Sequence, residues 1–190
     1  MSIKHSLLAL LRRGPAHGYQ LRQEFETTTG ATWPLNIGQV YTTLSRLERD
    51  GLVQPSDADS ADRVVYRLTR AGQDAVEAWF ATPVVHDDRP RDELAIKLAL
   101  ALSTPGVDVS AVVQAQRTST LRGLQELTRL KYAAGEGDLA WLLVLDSLIF
   151  QSEAEVRWLD HCEARVLAGA RPTHPSHMAP AVLTVPQEVR

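Results

Sequence analysis

The sequence holds one cysteine, Cys162, among its 190 residues. A single thiol excludes an internal disulfide and any cysteine-based zinc cluster. No stretch approaches the ~18 consecutive apolar residues of a membrane span. The start of the chain also lacks the layout of a secretory signal, because its short apolar run is followed at once by Arg12 and Arg13. We therefore expect a cytoplasmic protein with no membrane partner.

Clusters that would carry catalysis or hold a metal are scarce as well. His86, Asp87 and Asp88 have no second cluster near them and fit a charged linker better than a metal site. His161 and Cys162 are neighbours that point to different faces of a helix, so they cannot form a nucleophile pair locally. We expect Cys162 to be a small interface residue. The sequence predicts no enzyme, no catalytic residue, no cofactor and no metal.

An excess of positive charge is also missing, since the formal net charge is −3. The chain as a whole therefore gives no basic signal for nucleic acid. Hydrophobic residues nevertheless make up 44% of the sequence, which is enough to build a buried core.

The first 82 residues show a regular succession of elements. Helical patterns cover residues 3–12, 17–29 and 36–50, and Asn36 is the expected cap of the third helix, with Gln39 completing a variant of the capping box. Gly51 suits the left-handed end of that helix. Short β-type runs at 52–54 and 64–68 flank a polar turn and predict a hairpin, and Thr69 is expected to cap a fourth helix. This order is typical of a winged helix-turn-helix.

The remainder is helical in pattern, at residues 91–102, 110–134 and 138–167, the last beginning at a cap on Asp138. We expect a mainly α fold of class α+β. A winged helix-turn-helix DNA-binding domain would cover 1–82, a linker 83–90 and a helical dimerisation and effector domain 91–169. Residues 170–190 hold several prolines and no periodicity, and they are expected to be disordered.

The third predicted helix carries two opposite stripes at 100° per residue. One is apolar, with Ile37, Val40, Leu44 and Leu47. The other stripe is polar and consists of Gln39, Thr42, Arg46 and Arg49, flanked by Thr43 and Ser45. Short hydroxyl side chains together with long amide and guanidinium side chains suit contacts to base edges and phosphates in a major groove. We expect base contacts from Gln39, Thr42, Thr43 and Arg46. An ordinary solvated helix face is the alternative.

Acidic residues interrupt this picture. Both Glu48 and Asp50 would repel phosphate if they faced it. The helical wheel puts Glu48 on the inner edge of the helix, away from the outward stripe. Asp50 has no such position, so we expect it to lie beyond the DNA. Arg63 is expected at the wing tip, in a minor groove or on a phosphate, with a solvated turn arginine as the alternative. Between residues 36 and 70 the arginines at 46, 49, 63, 67 and 70 balance the acids at 48, 50, 57, 59 and 62. This neutrality leaves open a winged-helix module that binds another protein instead of DNA.

Four segments resemble the PadR family of transcription regulators: residues 7–11, 14–21, 38–52 and 63–72. The match covers residues 3 to about 80. It implies a homodimer that binds a pseudo-palindromic operator in double-stranded DNA, usually as a repressor, and it implies that Tyr41 contacts phosphate. Many family members carry a proline directly after that tyrosine, where this chain has Thr42, so the operator sequence does not carry over.

The last predicted helix would be about 45 Å long. It carries a heptad-like seam, made of Leu142, Leu145, Ile149, Ser152, Val156, Leu159, Glu163 and Val166. We expect a second copy of the chain to cover it, with residues 110–134 of the same chain as the alternative. By resemblance to regulators that hold flat aromatic compounds, Trp141 and Trp158 are candidates to line a pocket for a small apolar or aromatic effector. A core or interface role is the alternative for both.

Overall fold

The computed structural model describes residues 3–56, 63–84, 92–135 and 137–168. Within these ranges the elements follow the order α1 (Ile3–Leu11), β1 (Ala16–His17), α2 (Gly18–Thr28), α3 (Ile37–Arg49), β2 (Val53–Ser56), β3 (Val65–Leu68), α4 (Arg70–Ala81), α5 (Glu93–Ala101), α6 (Val109–Ala134) and α7 (Leu139–Leu167). The tail predicted at 170–190, most of the linker predicted at 83–90 and most of the wing turn lie outside the described residues.

The elements from α1 to α4 pack around one apolar core. The apolar stripe of α3 supplies Val40, Leu44 and Leu47, which are at most 1% exposed, and α1 supplies the fully buried Leu7 and Leu8. Burial of that stripe fixes the rotation of α3, so its opposite side faces outward. The winged helix-turn-helix predicted from the sequence is therefore the fold observed.

The sheet has three antiparallel strands in the order β1-β3-β2, one more strand than the predicted hairpin. The additional strand, β1, pairs Ala16 with Tyr66 and His17 with Val65. Two residues cannot display the alternation by which a strand is recognised in a sequence. The pairing ties the start of α2 to the base of the wing.

Helix caps account for several element boundaries. The predicted caps are confirmed. The side-chain oxygens of Asn36, Thr69 and Asp138 accept hydrogen bonds from the backbone N–H groups of Gly38, Gly72 and Trp141, respectively. Each bond satisfies a donor that the first helical turn leaves unpaired. At the other end of α3, Gly51 has φ +70, the left-handed conformation expected there.

The capping-box variant expected between Asn36 and Gln39 does not form. Asn36 accepts from Gly38, one position earlier than a capping box requires. A complete capping box occurs instead at α2, where His17 Nδ1 accepts from the Gln20 N–H and the Gln20 side chain accepts from the His17 N–H. The Gln39 side chain is consequently left for the outward face of α3.

In the second half of the chain, α6 and α7 form an antiparallel pair, and α5 packs against α6. Their small core contains Leu98, Val113 and Leu159. Polar pairs join the two long helices along their length, among them Arg117 to Asp160 at 2.6 Å and Gln114 to Glu163 at 2.6 Å. Such exposed pairs contribute little stability each. The fully buried side chains of the two helices are Val113 on α6 and Leu145 and Leu159 on α7, which are few for helices of this length.

The seam predicted on α7 faces α6 of the same chain, which corrects the expectation that a second copy covers it. Leu145 and Leu159 are completely buried, and Glu163 accepts from Gln114 on α6. A different stripe remains uncovered, because Leu139, Leu143 and Phe150 are 62–68% exposed. Their spacing of four and seven residues places them on one side of the helix. An apolar stripe of this kind needs another surface to cover it.

Candidate nucleic-acid interface

The outward face of α3 carries the side chains that the sequence predicted there. Gln39, Thr42 and Arg46 are exposed, as are Ser45 and Arg49, whereas Thr43 is half-buried. Within the part of the chain that the structure describes, Arg46 has no ion-pair partner. The face therefore offers one amide and two guanidinium groups over roughly three turns of helix.

The two threonines on this face are oriented by their own helix. Thr42 donates its hydroxyl to the Gly38 carbonyl at 2.8 Å, and Thr43 donates to the Gln39 carbonyl at 2.7 Å. A hydroxyl used in this way presents its oxygen as an acceptor and its methyl group as an apolar contact. Acceptors of that kind suit the amino groups of cytosine or adenine, and methyl groups suit thymine.

Tyr41 lies half-buried at the edge of α3, between the core and the outward face. Its ring meets Tyr19 edge to face, with centroids 6.1 Å apart. It also rests on Gly18, where an added Cβ would lie 2.8 Å from the ring. The absence of a side chain at residue 18 is thus what lets the Tyr41 ring pack down on the start of α2.

A buried tyrosine of β3, Tyr66, lies near an acidic residue of α3, Glu48. Burial raises the pKa of the Tyr66 phenol, and the nearby Glu48 and Tyr41 raise it further. Glu48 therefore lies near the wing, and its side chain is exposed to solvent. The phenol therefore stays neutral near pH 7.

The wing contributes arginines at its base. Arg63 is exposed just before β3, and the turn that precedes it lies outside the described residues. Gln54 and Arg67 are cross-strand partners, and their side chains pair when the Gln54 amide oxygen accepts from the Arg67 guanidinium. Arg63 lies two residues before β3, and the prediction that it stands at the wing tip depends on a turn outside the described residues.

The two tryptophans of α7 lie in different surroundings. Trp158 packs against the small core formed by Leu98, Val113 and Leu159. Trp141, half-buried, lies against the turn after α2, where a Cβ on Gly30 would be 2.3 Å from the indole ring. Trp141 therefore connects the helical half to the winged half, a contact that sequence reasoning missed because no local pattern signals it.

Two further features would bear on function in the described ranges, namely metal-binding clusters and membrane-spanning helices. In those ranges no three His, Cys, Asp or Glu residues cluster in a way that could hold a metal ion. None of the described helices combines the length and the apolar character of a membrane span. The triplet at residues 86–88 lies outside those ranges. Burial raises the pKa of the Cys162 thiol, as expected for a packing residue.

Two family models match the chain, one on each half. Residues 7–78 match the transcriptional regulator PadR-like family, and residues 90–166 match the virulence activator alpha C-terminal family. The winged half of the chain is thus similar to the PadR-like family of transcriptional regulators. Proteins of the PadR family are regulators of transcription.

Relatives of this PadR-like protein match nearly its whole described length. The negative transcriptional regulator PadR of Bacillus subtilis (strain 168) is 23% identical over 176 residues, which cover 86% of this chain and 97% of that protein. The crystal structure of B. subtilis PadR in complex with operator DNA has a TM-score of 0.68 at 21% identity, over 87% of this chain and 99% of that chain. The complex with p-coumaric acid has a TM-score of 0.71 at 22% identity, over the same shares.

A second relative shares the arrangement of both halves. The Vibrio cholerae virulence activator AphA has a TM-score of 0.65 at 24% identity, over 88% of this chain and 99% of that chain. Together these likenesses establish the fold of the PadR-like chain, including the helices that follow the winged domain.

Proposed function

We propose that this protein is a repressor that binds a pseudo-palindromic operator as a homodimer and responds to a small apolar or aromatic effector. The proposal rests on the outward face of α3, which presents Gln39, Thr42 and Arg46. The opposite side of the helix is buried at Val40, Leu44 and Leu47. An exposed, rigidly oriented face of this composition suits a recognition helix in a major groove.

Within this proposal the residues of the winged domain have distinct roles. Gln39, Thr42, Thr43 and Arg46 read base edges, whereas Ser45 and Arg49 lie toward the backbone. Tyr41 contacts a phosphate through its hydroxyl, because its ring is held between the core and the surface. Arg63 works from the wing. Contacts to phosphates position the domain, and contacts to base edges supply the sequence preference.

Dimerisation is supported by the uncovered stripe of α7. Leu139, Leu143 and Phe150 expose apolar surface on a long helix whose other side is already packed on α6. A second copy placing the same stripe against it would form a two-fold interface. Two recognition helices related by a two-fold axis match a palindromic site with half-sites about one duplex turn apart.

The effector is proposed to act through the helical half, with Trp141 and Trp158 as candidate contacts. Trp141 is the stronger candidate, because it touches the winged domain at Gly30. A ligand that shifts this indole would change how the winged domain is held, and so the spacing of the two recognition helices. The complex of B. subtilis PadR with p-coumaric acid supports a small aromatic compound as the ligand class.

The experiment is selection of bound fragments from random duplex DNA, carried out with the wild-type protein and with Arg46→Ala. The wild type should enrich a motif with two inverted half-sites, and Arg46→Ala should lose the preference at one or two positions in each half-site. Arg129→Ala is the matched control, because Arg129 lies on α6 and pairs with Glu126. Selection of the same motif with equal strength by Arg46→Ala would refute the base contact.

A further inference from the structure

The end of α3 and the start of α1 meet at a pair of ionic contacts that involve Asp50. The Asp50 carboxylate lies 3.7 Å from Lys4 Nζ and 3.8 Å from Arg49 Nε. One carboxylate thus stands between a lysine of α1 and an arginine of α3. All three side chains are solvent-accessible, with 44% of Lys4, 43% of Asp50 and 75% of Arg49 exposed.

These residues line an open groove of about 370 Å³ at the border of the outward face of α3. The lining also includes Gln39, Thr43 and Arg46. Three cations (Lys4, Arg46 and Arg49) face one carboxylate (Asp50) there, so the groove is locally positive although the winged domain as a whole is close to neutral. A concentration of positive charge beside a recognition helix is suited to an anion on the DNA backbone.

We propose that this groove receives one backbone phosphate of the bound duplex, that Lys4 contacts that phosphate, and that Asp50 is the counter-ion of Lys4 only in the free protein. The proposal rests on the proposed DNA binding and adds a contact from α1, outside the recognition helix. It also revises the expectation that Asp50 lies beyond the DNA.

The exchange of Asp50 for a phosphate is physically favourable in this setting. Exposed ion pairs at such distances are weak, because water and salt screen them. The lysine ammonium is a compact charge with three donors, and it can turn from the carboxylate to a phosphate without a change in backbone. Because α1 and α3 share one core, a phosphate held by Lys4 would also fix the angle at which α3 enters the major groove of the DNA.

The test measures binding to a random-sequence duplex of about 30 base pairs over a series of salt concentrations, using fluorescence anisotropy. For Lys4→Gln, the slope of log K against log salt concentration should fall by about 0.9 for each protomer. Lys4→Arg keeps the charge and should keep the wild-type slope. Asp50→Asn removes the competing carboxylate and should bind the duplex several-fold more tightly. Lys97→Gln, on α5, is the control and should match the wild type.

The outcomes separate this proposal from the proposed function. If the wild type binds duplex DNA and Lys4→Gln has the same slope as Lys97→Gln, the phosphate contact is refuted while DNA binding stands. The same holds if Asp50→Asn binds more weakly than the wild type. If the wild type binds no duplex at any salt concentration, both proposals fail. Thermal melting of each variant confirms that the fold is retained, and Lys4→Arg tests the charge independently of packing.

Discussion

The indole of Trp141 lies directly on the backbone of Gly30, so closely that a Cβ at residue 30 would be 2.3 Å from its Cε3 atom. Gly30 has φ +58 and is followed by Ala31 with φ 54, so two successive residues adopt the left-handed conformation at this contact. The turn after α2 is therefore shaped for the first turn of α7. The contact between Gly30 and Trp141 directly connects the winged domain to the helices that follow it.

Gly30→Ala should destabilise the protein for two separate reasons. The left-handed backbone costs a residue with a Cβ about 1–2 kcal/mol, and overlap with the Trp141 ring adds about 1–3 kcal/mol. Gly51→Ala is the matched control, because Gly51 has φ +70 but no atom within 4 Å of an added Cβ. Urea unfolding should show the larger loss for Gly30→Ala. Equal losses would mean that the indole does not press on residue 30 in solution.

Gly18→Ala tests the packing of Tyr41. An added methyl group would lie 2.8 Å from the Tyr41 ring, so the ring must move outward and its hydroxyl must leave its position. We expect affinity for duplex DNA to fall several-fold, in the same direction as for Tyr41→Phe, which removes only the hydroxyl. Fluorescence anisotropy measures both. If Gly18→Ala binds duplex DNA with unchanged affinity, the position of the Tyr41 side chain does not matter for DNA binding.

Substitution of Asn36 separates folding from DNA binding at the start of α3. Asn36→Ala removes the oxygen that accepts from Gly38, and should lower the free energy of unfolding by about 1 kcal/mol. Asn36→Asp keeps the cap but places a negative charge where the helix is proposed to approach phosphates. We expect it to unfold like the wild type and to bind duplex DNA more weakly. Tight binding by Asn36→Asp would contradict the proposed approach of α3.

Phe150→Asp tests the apolar stripe of α7 as the dimer interface. Phe150 is 68% exposed in the single chain, and a carboxylate there would have to be buried without a partner if the stripe pairs with itself. Sedimentation velocity should show a monomer for Phe150→Asp and a dimer for Gln151→Glu, whose exposed side chain lies on a different side of the helix. A dimer that persists in Phe150→Asp would place the interface elsewhere.

The winged domain could be predicted from the sequence because its signals are local. The apolar period of α3 specifies its buried side, and the caps at Asn36 and Thr69 follow from the side-chain chemistry of their first turns. The cap at His17 escaped prediction, since histidine is not among the usual capping residues. Strand β1 escaped it because its partner, β3, is almost fifty residues away in sequence.

In the helical half, the periodic pattern predicted a buried seam but not the helix that covers it. The spacing of Leu145 and Leu159 correctly indicated a seam on α7, but a heptad pattern does not state which helix covers it. The structure assigns that seam to α6 and leaves Leu143 and Phe150 exposed on another side. The contact of Trp141 with Gly30 joins residues more than a hundred positions apart, so no local pattern could predict it.

Two copies of α3 are proposed to enter successive major grooves on one side of the duplex. Methylation interference on a selected fragment tests it most directly, since the N7 atom of guanine lies in the major groove. We predict that methylated guanines block binding in two patches whose centres are about 10 base pairs apart. Binding that tolerates N7 methylation throughout the selected site, or that shows one patch only, would contradict this placement of the two helices.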